Sequence, residues 1–203
     1  MLTPHMPIAI VRLTDLTDAV AISRALLAGG LTTLEFTLTN SAALQAVAQT
    51  RAALGDAVTV GVGTVLSAQH AHEAIAAGAE FLVTPIVRRD VIAAGVAAGV
   101  PVASGAFTPT EIWDAWEAGA ALVKVFPARS LGPGYIKDIL APLPTLKLVP
   151  TGGIDVENCA AYIQAGAFSV GIGSNLVDSK LIAAKNWAEL SRRAAQYVAA
   201  CQG

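Results

Sequence analysis

Six glycines close helix-like stretches at a steady interval: Gly29, Gly55, Gly78, Gly99, Gly119 and Gly166, with successive spacings of 26, 23, 21, 20 and 47 residues. The last interval spans two units, and Pro142 and Pro144 supply the missing stop. After each stop comes a short apolar, β-branched run: Thr33 to Leu38, Val58 to Val62, Phe81 to Thr84, Pro101 to Ala103, Leu122 to Phe126, Lys147 to Val149 and Ser169 to Ile172. Ile8 to Val11 precedes the first stop, which makes eight predicted strands. Between them lie Ala- and Leu-rich segments with apolar residues at helical spacing, such as Ala19 to Leu27 and Val156 to Ile163. This alternation implies parallel βαβ units. Eight units in 203 residues, near the lower size limit, predict an α/β protein with one (β/α)8 TIM-barrel domain over residues 1–203. A doubly wound open sheet is the runner-up, disfavoured because no strand is followed by Gly-x-Gly-x-x-Gly with an acidic residue downstream.

Hydrophobic residues make up 54% of the chain and charged residues 14%, yet Gly, Pro and charges interrupt every apolar stretch. None approaches the roughly 20 apolar residues of a membrane span, so no membrane partner is expected. Met1 to Met6 lacks a basic segment ahead of an apolar one, and a cytoplasmic location is expected. A net charge of -2 and 5% aromatics provide no footprint for nucleic acid. Cys159 and Cys201 are far apart and in no metal-type spacing, which fits reduced structural thiols.

One residue breaks the strand pattern. In Ala121-Leu122-Val123-Lys124-Val125-Phe126-Pro127-Ala128, a lysine stands where a strand covered on both faces carries an aliphatic side chain. An ammonium there is costly unless it is paired or gives up its proton. An amine held neutral in a dry pocket is a nucleophile toward carbonyl carbon, the requirement of a Schiff-base enzyme. The alternative is a strand-end lysine that pairs with a carboxylate or reaches solvent.

Alternation sorts the neighbouring strands. Leu34, Phe36 and Leu38 form one face of the second strand, and Thr33, Glu35, Thr37 and Thr39 the other. With the apolar face against helices, Glu35 points inward. Lys124 shares its face with Leu122 and Phe126. Arg12 follows Ile8 and Ile10 at the end of strand one, and Thr64 is expected to follow Val60 and Val62 inward at the end of strand three. These four residues converge on the face where barrel enzymes carry their chemistry. A buried ion-pair cluster of Arg12, Glu35 and Lys124 is the structural alternative.

Two glycine turns end the last two strands, Pro150-Thr151-Gly152-Gly153 and Gly171-Ile172-Gly173-Ser174. Barrels commonly hold a phosphate there on backbone N–H groups; tight turns alone are the other reading. His70 and His72, two apart on a predicted helix, face different directions and are poor metal ligands.

Over essentially its whole length the chain resembles the class I aldolases that cleave 2-keto-3-deoxy-6-phosphogluconate (KDPG) and 4-hydroxy-2-oxoglutarate (KHG). The resemblance rests on the order and spacing of Ala9-Ile10-Val11-Arg12, Glu35-Phe36-Thr37-Leu38-Thr39, Gly61-Val62-Gly63-Thr64-Val65-Leu66, Val83-Thr84-Pro85, Thr108-Pro109-Thr110-Glu111, Lys124-Val125-Phe126-Pro127-Ala128 and the two glycine turns. It implies that Lys124 forms the Schiff base, that Glu35 is the general acid/base, and that Arg12 and Thr64 bind the keto-acid end. Thr39, Pro85 and Phe126 are carried over as lining positions. The resemblance further implies a phosphate on Thr151, Gly152, Gly153, Gly173 and Ser174, a homotrimer of barrels, and no metal or other cofactor. The implied reaction releases pyruvate and D-glyceraldehyde 3-phosphate from KDPG, with pyruvate and glyoxylate from KHG as a second activity.

Two departures bear on the substrate. Many family members carry an arginine for the pyruvate carboxylate where this chain has Thr39, which shifts that load to Arg12, Thr64 and backbone amides. Members often read Pro-Gly on strand five, where this chain continues through Ser104 to Phe107, so Ser104 and Phe107 are expected to influence which aldehyde fits. Alternatives are the epimeric 2-dehydro-3-deoxy-6-phosphogalactonate, a metal-dependent sugar-phosphate decarboxylase or isomerase, a deoxyribose-phosphate-type aldolase, and a non-catalytic sugar-phosphate-binding barrel. Glu35 is the only strand-end acid placed for metal ligation, and no second strand-end lysine is found.

Overall fold

The structure, a computed structural model, describes residues 2–202; Met1 and Gly203, the ends of the expected domain, lie outside them. Eight parallel strands follow one another: β1 (Ile8–Val11), β2 (Thr33–Thr37), β3 (Thr59–Gly63), β4 (Phe81–Val83), β5 (Val102–Ala106), β6 (Leu122–Val125), β7 (Leu148–Pro150) and β8 (Gly171–Ile172). They pair sequentially, and β1 also pairs with β8. The ring closes where Thr151 bridges Gly171 and the Phe168 amide donates to the Leu148 carbonyl at 2.8 Å. This is the predicted barrel, with β5 three residues longer at its carboxyl end and β8 reduced to two residues.

Among the described residues the helices are α1 (Ala19–Ala28), α2 (Ala43–Leu54), α3 (Ala68–Ala76), α4 (Arg89–Ala98), α5 (Pro109–Glu117), α6 (Gly132–Leu140), α7 (Cys159–Gln164), α8 (Ser179–Ala183) and α9 (Trp187–Gln202). Local chemistry sets several ends. Thr108 and Glu111 form a reciprocal capping box at the start of α5, with Pro109 in its first turn. Gly99 ends α4 in the left-handed conformation at φ 68°. Helix α7 starts three residues later than the apolar pattern suggests. The cause is Asp155, whose carboxylate accepts bonds from the Glu157 and Asn158 amides at 3.0 and 2.9 Å and holds a turn there.

Two apolar layers surround the strands. Leu34 and Phe36 of β2 lie in register with Val60 and Val62 of β3, and all four are buried in the outer apolar layer, where α2 with Ala46 and Val47 lies against both strands. Each such fully buried side chain contributes about 1.5–3 kcal/mol. A separate inner cluster of Ile8, Phe81, Val83, Ala103, Leu122 and Val149 fills the barrel, with Leu2 and Phe168 packed against it at the amino-terminal end. Gly61 makes room for the Phe81 ring, whose atoms would lie 2.5 Å from a Cβ built there. Cys159 and Cys201, distant in sequence, are free and buried on α7 and α9; the Cys159 thiol donates to the Val156 carbonyl at 3.6 Å, and the mutual influence of the two thiols lowers the pKa of Cys159 and raises that of Cys201.

Candidate active site

At the carboxyl ends of the strands a cavity of about 330 Å³ opens. Every residue expected to take a catalytic or binding part lines it: Lys124 and Glu35; Arg12, Thr64, Thr39, Pro85 and Phe126; and Thr151, Gly152, Gly153, Gly173 and Ser174. It lies directly above the inner apolar cluster, so its floor is apolar.

Lys124 is 9% exposed, and its Nζ stands 5.2 Å from the centre of the Phe126 ring. Glu35 is 2% exposed, and its Oε1 has no hydrogen-bond partner among the described residues. Burial pushes the Glu35 carboxyl above its ordinary value, and the positive charge of Lys124 partly offsets this. The two groups thus sense each other across a shared space. No ion pair within 4.0 Å involves Glu35, Lys124 or Arg12 among the described residues, and Arg12 is exposed. The buried ion-pair cluster is therefore not what holds these residues.

Glycines shape the space. A Cβ on Gly63 would sit 2.4 Å from Glu35 Oε1, so the carboxylate occupies the place that any side chain at 63 would fill. A Cβ on Gly105, the register partner of Lys124, would sit 2.2 Å from the Pro85 carbonyl carbon. Its absence lets the loop after β4 cross to the rim and bring Pro85 into the cavity.

Thr64 reaches the cavity by a route that alternation does not give. Val60 and Val62 face the helices, so continued alternation would carry Thr64 outward with them. Its backbone instead adopts φ 61°, a conformation that a β-branched residue avoids, and this turns the side chain over the barrel mouth. Ser104 and Phe107 do not line the cavity. Ser104 pairs in register with the outward-facing Val123 and is buried toward the helices with its hydroxyl unpartnered. Phe107 stands outside at 38% exposure, where its carbonyl accepts a bond from the Tyr135 hydroxyl at 2.6 Å.

At the position of the family arginine, the Thr39 hydroxyl lies 2.8 Å from that of Thr37. Asn40 turns away to donate to the Leu13 and Thr14 carbonyls at 3.1 and 2.9 Å. The turn after β7 takes left-handed φ values of 91° at Gly152 and 82° at Gly153. Asn158 donates to the Gly153 carbonyl at 3.0 Å and Asn175 to the Ile154 carbonyl at 2.7 Å, which occupies acceptors and leaves amides for a ligand.

Ile10, Thr37, Arg129, Ile154 and Asn175 also line the cavity and were not singled out in the sequence. Ile10 and Thr37 follow from alternation. Arg129 had a weaker signal, as the one basic residue in the segment just after β6. A cavity of about 390 Å³ between α7 and α9 is lined mostly by charged groups that satisfy one another, such as Glu189 with Arg192 and Arg193. His70 and His72 lie exposed on α3, and no group of three or more potential metal-ligating side chains occurs among the described residues.

The family model described as "Aldolase: KDPG and KHG aldolase" matches residues 2–193. A 2-dehydro-3-deoxy-phosphogluconate aldolase of Treponema pallidum is 38% identical over 185 residues, covering 91% of this chain and 88% of the relative. A 2-dehydro-3-deoxy-6-phosphogalactonate aldolase of Escherichia coli is 35% identical over 170 residues, 83% of each chain. The crystal structure of KDPG aldolase from Legionella pneumophila, with pyruvate captured as a covalent carbinolamine, superposes with a TM-score of 0.85 at 30% identity, covering 94% of this chain and 92% of that one.

Proposed function

This chain belongs to the KDPG and KHG aldolase family, and from that premise we propose that it is a Schiff-base aldolase that cleaves KDPG to pyruvate and D-glyceraldehyde 3-phosphate. The observation that carries the reading is the pairing of one buried lysine, Lys124, with Glu35, the only carboxylate lining the cavity among the described residues, over an apolar floor.

In this reading the free amine of Lys124 attacks the 2-keto carbon. Glu35 delivers the proton that lets the carbinolamine lose water, and the iminium that forms is the electron sink. Glu35 then takes the proton of the 4-hydroxyl, the bond between carbons 3 and 4 breaks, and the aldehyde leaves behind an enamine. Protonation at carbon 3 and hydrolysis free pyruvate and Lys124. The raised proton affinity of Glu35 suits it to both halves of this traffic. Arg12, Thr64 and the Thr37–Thr39 hydroxyl pair are assigned to the keto-acid end, and the two glycine turns to the phosphate.

Pyruvate with borohydride is expected to add one reduced pyruvyl group at Lys124, read by peptide mass mapping, and Lys124→Ala is expected to lose both label and cleavage. Label on Lys137 or Lys147 instead would overturn the assignment. Activity is expected to survive EDTA.

The 35% identity to a phosphogalactonate aldolase favours a second substrate. Cleavage rates on the two epimeric phosphorylated acids and on KHG, measured side by side, decide among them. We further assign the chain to the cytoplasm, as one domain assembling into a homotrimer. Supporting this, no helix among the described residues is long and apolar enough to cross a membrane. Leu66, Ile86 and Phe107 also stand exposed just after three consecutive strands.

A further inference from the structure

Arg51, Arg88, Arg89, Arg192 and Arg193 each have a carboxylate partner. Arg129 has none among the described residues, and it is exposed into the cavity rather than into open solvent alone. It sits in the short turn Ala128–Ser130 that follows β6, five residues after Lys124. Its side chain lies across the turn after β7: a Cβ built on Gly153 would stand 2.8 Å from Arg129 Cβ, 3.1 Å from Cγ and 3.0 Å from Nε. Gly153 is therefore what admits Arg129 to this place, since any side chain there would lift it off.

Strand order puts a second guanidinium on the far flank. β7 and β8, which carry the two glycine turns, lie between β6 and β1, and β1 runs into Arg12. The cavity's cations are Arg12, Lys124 and Arg129, against the single carboxylate of Glu35. With Arg12 assigned to the keto-acid end and Lys124 to the Schiff base, Arg129 is the cation left beside backbone turns that offer only N–H dipoles, which fits a substrate bearing a multiply charged oxyanion at its far end. Guanidinium binds such a group bidentately, and with no acceptor inside the protein it keeps all its donors for the ligand.

We propose that Arg129 is a substrate-specificity residue that holds the terminal phosphate of the substrate from the β6 side of the glycine turns. The proposal rests on the aldolase reading and goes beyond it, because the Schiff-base chemistry needs nothing from this side chain. The test is kcat/KM for the 6-phosphorylated keto-deoxy acid and for its unphosphorylated counterpart, in the wild type, Arg129→Ala and Arg129→Lys. The wild-type preference for the phosphorylated acid is expected to fall about tenfold or more in Arg129→Ala, mostly through KM, the scale of one charge-assisted contact. Arg129→Lys is expected to recover part of it, retaining charge but not the fork. Added salt is expected to erode the wild-type preference more than that of Arg129→Ala.

A purely structural role, or a contact to the keto-acid carboxylate, would lower both substrates alike and leave the ratio intact, which overturns the proposal. If the wild type prefers the phosphorylated acid and Arg129→Ala keeps that ratio, this assignment alone falls and the aldolase reading stands. A wild type with no preference removes the phosphate site and this proposal together, while pyruvate trapping at Lys124 still judges the chemistry separately.

Discussion

A carboxylate oxygen buried without a hydrogen bond costs the protein stability, and Glu35 accepts that cost in the middle of its barrel. Burial raises its proton affinity, so the folded state binds this proton more tightly than the unfolded chain. The associated stability is fully present below the ordinary glutamate range and is lost as pH rises through the folded value. Glu35→Gln has no such loss. Its melting temperature is therefore expected to gain on that of the wild type as pH rises, while its turnover falls by roughly 100-fold or more, the range for a lost general acid/base. Near-normal turnover would assign the proton transfers to another group. At this scale the sequence was informative where a residue violated its surroundings: a lysine in an apolar strand and a glutamate on an inward face. It placed Thr64 at the cavity correctly but by the wrong route, because Val60 and Val62 face the helices and the inward orientation of Thr64 comes from a backbone φ of 61° that no strand pattern announces. It also pointed Ser104 at the substrate, whereas register with Val123, not chain order, decides which layer the hydroxyl enters.

At the scale of elements, strand β3 is built around what it lacks. Gly61 yields to Phe81, and Gly63 yields to Glu35. The pattern of alternating Val and Gly on this strand, Val60-Gly61-Val62-Gly63, thus reads as an apolar outer face and an inner face kept empty for neighbours. Gly63→Ala is expected to displace the carboxylate and lower turnover about 10- to 100-fold, the scale of an ångström of misplacement. In a Glu35→Gln background the same change is expected to add much less, because the group it displaces has already lost its function. Equal costs in both backgrounds would mean that Gly63 acts on the fold and not on Glu35. The existence and order of strands and helices were readable from the glycine stops and β-branched runs. Their ends were less so: the start of α7 depends on Asp155 capturing two amides, and the length of β5 depends on pairing with β6.

At the scale of the molecule, exposed apolar side chains at Leu66, Ile86 and Phe107 belong to loops of adjacent strands, with Trp113 on the helix that follows. Sedimentation is expected to show a trimer that Ile86→Glu weakens; a monomeric wild type would remove the assembly from the proposal. The inner cluster of Ile8, Phe81, Leu122 and Val149, closed below by Leu2 and Phe168, has a different consequence. Among the described residues it closes the barrel opposite the cavity, so that the barrel is a well with its mouth at the carboxyl ends of the strands. Whatever enters must leave by the same opening, and on the proposed assignment the fragment tethered to Lys124 sits deeper than the aldehyde held among the glycine turns. Departure is thus queued by depth, aldehyde before pyruvate. In steady-state inhibition, pyruvate is expected to compete with the substrate for the emptied well, whereas glyceraldehyde 3-phosphate, which re-enters only while the enamine is still below, is expected to give a noncompetitive pattern.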